Sequence, residues 1–255
     1  MKALKRIVFY SSLIIMLLSY SCSYLPSEND VPLDIAYEET PEYIKLTSLD
    51  SVTNTGLVFL PGGFVDAHAY VSLMEKVATE GINVIIMKFS ANLALLELSK
   101  PLSVIEKIPD IDEWYISGHS LGGIAAQSIV SSNPDEFNGL IFLGVYPTES
   151  YSISDWNKNV LSIYAENDLL STVEEIEDNK QFSPPEMLID HLDDMDTLQV
   201  DSPVTIYYLI MGGNHAQFGD YGSQEGDGVA TISREDQHDQ VSSAIIKFMS
   251  HNESF

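Results

Sequence analysis

The sequence predicts an α/β fold: one domain built on a mainly parallel sheet, with helices on both faces. Three observations point there. Short β-rich runs alternate with helix-patterned segments along residues 57–249, the order expected when crossover helices join parallel strands. Residues 57–60 (LVFL) and 82–89 (INVIIMKF) read as near-continuous apolar runs, which suits a sheet buried on both sides. The chain has 255 residues, 45% of them hydrophobic, enough for one large core and too few for two domains with a linker.

Taken in order, residues 57–60 form a strand ending in Pro61-Gly62-Gly63. Residues 66–80 follow as a helix, with Ala69, Leu73, Val77 and Ala78 on one side and Gly81 as its stop. After the strand at 82–89, residues 91–108 hold one or two helices, interrupted before Pro101. Residues 112–117 are a strand that runs into Gly118-His119-Ser120-Leu121-Gly122, and residues 121–132 a helix closed by Asn133-Pro134. Further strands cover 139–144, 160–164 and 204–210. The last two end in Ala165-Glu166-Asn167-Asp168 and Met211-Gly212-Gly213-Asn214-His215. A helix over residues 234–249 closes the domain. Residues 171–203, with Pro184-Pro185 and an acidic run at 190–196, exceed an ordinary crossover. They read either as an exposed acidic loop with a short helix or as a small lid.

The ends of the chain and its charge bound the partners. Lys2, Lys5 and Arg6 precede an apolar stretch over residues 7–18, and the single cysteine, Cys22, follows. That stretch has the length of a signal h-region and is short for a bilayer span. Residues 1–21 are therefore expected to be a signal peptide of lipoprotein type with Cys22 as the lipidated residue, although Ser19 stands where such signals prefer Leu; plain secretion is the other reading. Residues 22–42, with Pro, Ser and acids and no periodicity, read as a flexible tether. The domain then spans residues 43–255, exported and anchored by lipid to a bacterial cell membrane. The whole chain carries 12 basic against 38 acidic residues, a net charge of −26. Such a surface repels phosphate backbones and anionic lipid, so no nucleic-acid partner is expected, and membrane contact only through the anchor.

The chemistry starts at Ser120. A serine on a tight strand-to-helix turn projects its hydroxyl clear of the sheet, and flanking glycines permit that turn. The strand before it and the small-residue helix Leu121-Gly122-Gly123-Ile124-Ala125-Ala126 after it supply the setting. Serine needs a base. Of six histidines, His215 follows the last strand, at the sheet edge where catalytic groups of open α/β sheets gather. Asp168, four residues past Tyr164, is the acid that would orient it, with Glu166 a competitor in the same turn. An oxyanion requires two backbone donors. The N–H of Leu121 is one, and that of Gly63 or Phe64 the other. No cofactor or metal is called for: the Gly- and acid-rich residues 219–228 match no metal motif and read as a pocket wall.

Three segments then carry a resemblance: residues 61–70 (PGGFVDAHAY), the turn around Ser120, and residues 212–222 (GGNHAQFGDYG). The chain resembles the α/β-hydrolase superfamily and its dienelactone-hydrolase-like small bacterial members, although those hydrolases proper use a cysteine nucleophile. The resemblance implies Ser120, Asp168 and His215 as a triad splitting a small ester or thioester, in the range of carboxylesterases and thioesterases. A ligand-binding protein on the same fold and an acyltransferase remain alternatives.

Overall fold

The computed structural model describes residues 34–251 apart from 190 and 199. The expected signal segment, Cys22 and the first part of the tether lie outside the described residues. In chain order come β1 (Ile35–Glu39), β2 (Tyr43–Ser48), β3 (Thr55–Leu60), α1 (Val71–Ala78), β4 (Asn83–Met87), α2 (Lys100–Ile105), β5 (Glu113–His119) and α3 (Leu121–Ser132). There follow β6 (Gly139–Leu143), β7 (Asn159–Ala165), α4 (Val173–Asn179), β8 (Glu186–Leu188), β9 (Thr205–Ile210) and α5 (Arg234–His251).

The strands form one sheet in the order β1-β2-β4-β3-β5-β6-β7-β9-β8. β1 and β2 pair antiparallel, β2 joins β4 antiparallel, and every other pairing is parallel. Alternate side chains of one strand enter opposite layers, as period-two geometry requires. Leu57 and Phe59 of β3 pack with Leu73 and Val77 of α1 and with Val241, Ile245 and Phe248 of α5. Val58 and Leu60 pack with Val104 of α2 and with Ala125 and Ile129 of α3. Both faces of the sheet are thus dry, which explains the unbroken apolar runs.

Some boundaries differ from expectation. The tether is shorter than residues 22–42, because Ile35–Glu39 is already an edge strand on β2. The helix expected over 66–80 opens as a 3-10 turn, Ala67–Tyr70, capped by the Asp66 side chain on the His68 N–H. The interruption before Pro101 is present: 3-10 turns at Ser90–Asn92 and Ala94–Leu96 end first, and α2 starts afresh at Lys100, with Pro101 in its first turn, where its missing N–H costs nothing. The stretch 171–203 is more than a plain loop. It builds α4, edge strand β8 and a 3-10 turn, Leu192–Thr197. β8 pairs with the first half of β9, from Thr205 to Tyr207, away from the edge where β9 delivers His215. Met195 is buried in the core, and Asp193 and Asp196 pair with Lys247 of α5 at 3.2 and 2.7 Å.

α3 lies against the sheet through its glycines. A Cβ on Gly122 would stand 2.2 Å from the Leu60 carbonyl oxygen and 2.4 Å from that of Pro61. Gly122→Ala is therefore expected to push α3 off β3 and cost about 2–3 kcal/mol. Thermal denaturation should show a midpoint roughly 4–12 °C lower; an unchanged midpoint would contradict this close approach.

Candidate active site

Because the central strands are parallel, their C-terminal ends share one edge, and each candidate residue leaves a strand there. Ser120 sits between β5 and α3 at φ 52° and ψ −124°, a conformation that costs a non-glycine residue on the order of 1–3 kcal/mol. The turn is held by the Ser120 N–H donating to the Leu143 carbonyl of β6 at 3.0 Å. It is also held by crowding: a Cβ on Gly118 would lie 2.3 Å from the Gly122 carbonyl carbon. Strain maintained by its surroundings at one serine is what a nucleophile-presenting turn requires.

The Leu121 N–H belongs to the first turn of α3, where no intrahelical acceptor precedes it. Gly63 is pressed against this residue; a Cβ on it would meet Leu121 Cδ1 at 2.4 Å. Phe64, the other candidate donor, is already engaged. Its N–H donates to the Asn92 carbonyl at 2.9 Å, held there by a turn in which Ala91 and Asn92 both have positive φ, 54° and 51°. Of the expected oxyanion donors, Leu121 and Gly63 remain as candidates.

His215 and Asp168 come together. His215 Nδ1 lies 2.7 Å from Asp168 Oδ2, and both side chains are buried. Asp168 Oδ1 accepts the Leu170 and Ser171 N–H groups at 2.8 and 2.7 Å. Oδ2 is therefore left to the imidazole, and the carboxylate takes the Nδ1 proton as partner. The proton of the neutral ring then resides on Nδ1 and the lone pair on Nε2. Nε2 is buried and makes no hydrogen bond within the protein, so it is free to act as a base. Glu166 does not compete: its Oε2 accepts the Gly212 N–H at 2.8 Å and steadies the β9 exit.

The histidine loop is held by residues the motifs did not announce. Asp227 receives the His215 and Gly228 N–H groups on Oδ1, at 3.2 and 2.7 Å, and the Ala216 N–H on Oδ2 at 2.8 Å. Gln237 of α5 clamps the Asn214 peptide, accepting its N–H at 3.1 Å and donating to its carbonyl at 2.9 Å. Gly213 is needed for that approach, since a Cβ there would stand 2.6 Å from Gln237 Oε1. The stretch 219–228 thus contributes a loop tie through Asp227. His119, next to the serine, lies with its ring 4.4 Å from that of His215. Burial first, and then His215, hold its pKa well below the ordinary value.

Comparison with known proteins agrees with this fold. A family model described as "Alpha/beta hydrolase family" matches residues 56–239, which include every residue of the candidate site. Among solved structures, Est1E from Butyrivibrio proteoclasticus superposes with a TM-score of 0.57 at 12% identity, covering 87% of this chain and all of that one; at this identity the likeness speaks for the fold alone. No curated protein shows significant sequence similarity to the chain.

Proposed function

The chain belongs to the alpha/beta hydrolase family, and from that premise we propose that it cleaves a small ester or thioester through Ser120, His215 and Asp168. The observation that carries the reading is the buried His215–Asp168 pair, closed at 2.7 Å with Nε2 uncommitted, on the same sheet edge as the strained Ser120.

In this mechanism Ser120 Oγ attacks the acyl carbon while its proton passes to His215 Nε2. The carbonyl oxygen becomes an oxyanion and receives the Leu121 and Gly63 N–H groups. Asp168 stabilises the imidazolium through Nδ1. Collapse breaks the acyl bond, and the leaving alcohol or thiol takes the proton from Nε2. Water then attacks the acyl-enzyme, giving one proton to Nε2, and the carboxylic acid departs as Ser120 regains its hydrogen. Phe64, Leu121 and Leu169, 37%, 36% and 62% exposed, follow the ends of β3, β5 and β7 and offer apolar surface to an uncharged substrate. The sequence signal around Cys22 supports placing the domain outside the cytoplasm on a lipid anchor.

The purified protein should release p-nitrophenol from p-nitrophenyl acetate, and prior treatment with a fluorophosphonate should abolish the release. A protein that neither turns over the ester nor reacts with the fluorophosphonate would instead be a binding protein on a hydrolase fold.

A further inference from the structure

Two of the three segments that carry the family resemblance, residues 61–70 and 212–222, meet at a side chain that the triad does not use. His119, the last residue of β5, is fully buried. Besides His215, its ring faces Phe218 at 5.5 Å, Tyr70 at 5.9 Å and Tyr221 at 6.4 Å between centroids. Tyr70 links this cluster to the Gly62-Gly63 loop that follows β3. The Gly62 N–H donates to Tyr70 Oη at 2.9 Å, and Oη lies 2.9 Å from His119 Nδ1. Tyrosine has one hydroxyl proton. With the Gly62 N–H on an Oη lone pair, that proton points to Nδ1, which leaves the His119 proton on Nε2. Burial raises the Tyr70 pKa and, with His215, lowers that of His119, so both stay neutral, and the Tyr70 hydroxyl occupies the His119 Nδ1 lone pair.

A Gly-Gly pair has little conformational preference of its own. An oxyanion donor, however, must be fixed to within about 0.5 Å. Something outside the pair has to fix it. The fit at Gly62 is close: a Cβ there would lie 2.9 Å from His119 Nδ1 and 3.0 Å from Tyr70 Oη.

We propose that Tyr70 and His119 are positioning residues for acyl transfer at Ser120, their hydrogen-bond chain from Gly62 fixing the peptide that presents the Gly63 N–H. This rests on the triad reading. It adds that the oxyanion donor and the general base are aligned through one buried link, tied to the nucleophile's own strand.

The test is steady-state hydrolysis of p-nitrophenyl acetate by Tyr70→Phe, His119→Phe and His119→Asn, with thermal melts and fluorophosphonate titration of active sites. Tyr70→Phe should lower kcat on the order of tenfold per titrated site while KM stays within about twofold, as expected for a misplaced oxyanion donor. His119→Phe keeps a ring but has no acceptor and should fall similarly. His119→Asn offers Oδ1 near the position of Nδ1 and should keep several-fold more activity than His119→Phe. Wild-type kcat in Tyr70→Phe, or equal losses in both His119 variants, would overturn the inference. So would losses accounted for entirely by fewer titratable sites, because that marks a structural role only. A wild-type protein inert to both ester and fluorophosphonate would instead bring down the triad reading.

Discussion

Ser120→Ala is expected to lower kcat/KM for p-nitrophenyl acetate by about 10⁵-fold or more, because every covalent step passes through that oxygen. The residual rate should remain above that of the ester in water, since the Leu121 and Gly63 donors and the substrate contacts survive the change. The fold should survive as well. Alanine at φ 52° and ψ −124° bears the same backbone strain as serine. Ser120→Gly relieves that strain, and it should be equally inactive yet more stable by about 1 kcal/mol, a rise of roughly 2–4 °C in melting midpoint. A stabilised, inactive Gly variant would separate the cost of the turn from its use. An inactive but destabilised one would mean that the turn is not strained.

Asp168→Asn should lower kcat by about 10⁴-fold with little loss of stability. The reason lies in the partners of its two oxygens. Oδ1 accepts two backbone N–H groups, from Leu170 and Ser171. An asparagine must keep its carbonyl oxygen there and turn its NH₂ toward His215. That NH₂ needs an acceptor, so Nδ1 gives up its proton and Nε2 takes one. The ring is then held in the tautomer that cannot deprotonate Ser120. Glu166→Gln keeps an acceptor oxygen for the Gly212 N–H and should stay within about threefold of wild type, since only a loop contact is altered. Steady-state kinetics on both variants checks the assignment, and the reverse ranking would make Glu166 the acid.

The candidate triad is legible in the sequence because each proposed member leaves a strand that announces itself. The apolar runs before Ser120, Asp168 and His215 stop at glycine, asparagine or acidic residues, and parallel pairing then brings the three ends to one edge. What stayed hidden depends on neighbours distant in sequence. The edge strands Ile35–Glu39 and Glu186–Leu188 are short and half-exposed, and only the strand beside each decides that it is a strand. Whether the Phe64 N–H is free was set by Asn92, 28 positions on, in a turn without glycine. Asp227 and Gln237 hold the His215 loop from 12 and 23 residues away. They belong to no motif, because main-chain groups accept such ties from any side chain of suitable reach. Tyr70 and His119 were visible as residues of the resembling segments, but their hydrogen bond joins positions 49 residues apart and only the fold creates it.

The central claim is that Ser120 carries the acyl group, and the most direct measurement is to trap it there. The wild-type protein is mixed with p-nitrophenyl acetate, quenched in acid within the first turnovers, and mapped by peptide mass spectrometry; His215→Ala, acylated slowly and deacylated more slowly still, provides a longer-lived sample. One acetyl group is expected on the peptide containing Ser120, and none in Ser120→Ala. Turnover with the acetyl group on another residue, or undiminished turnover in Ser120→Ala, would contradict it.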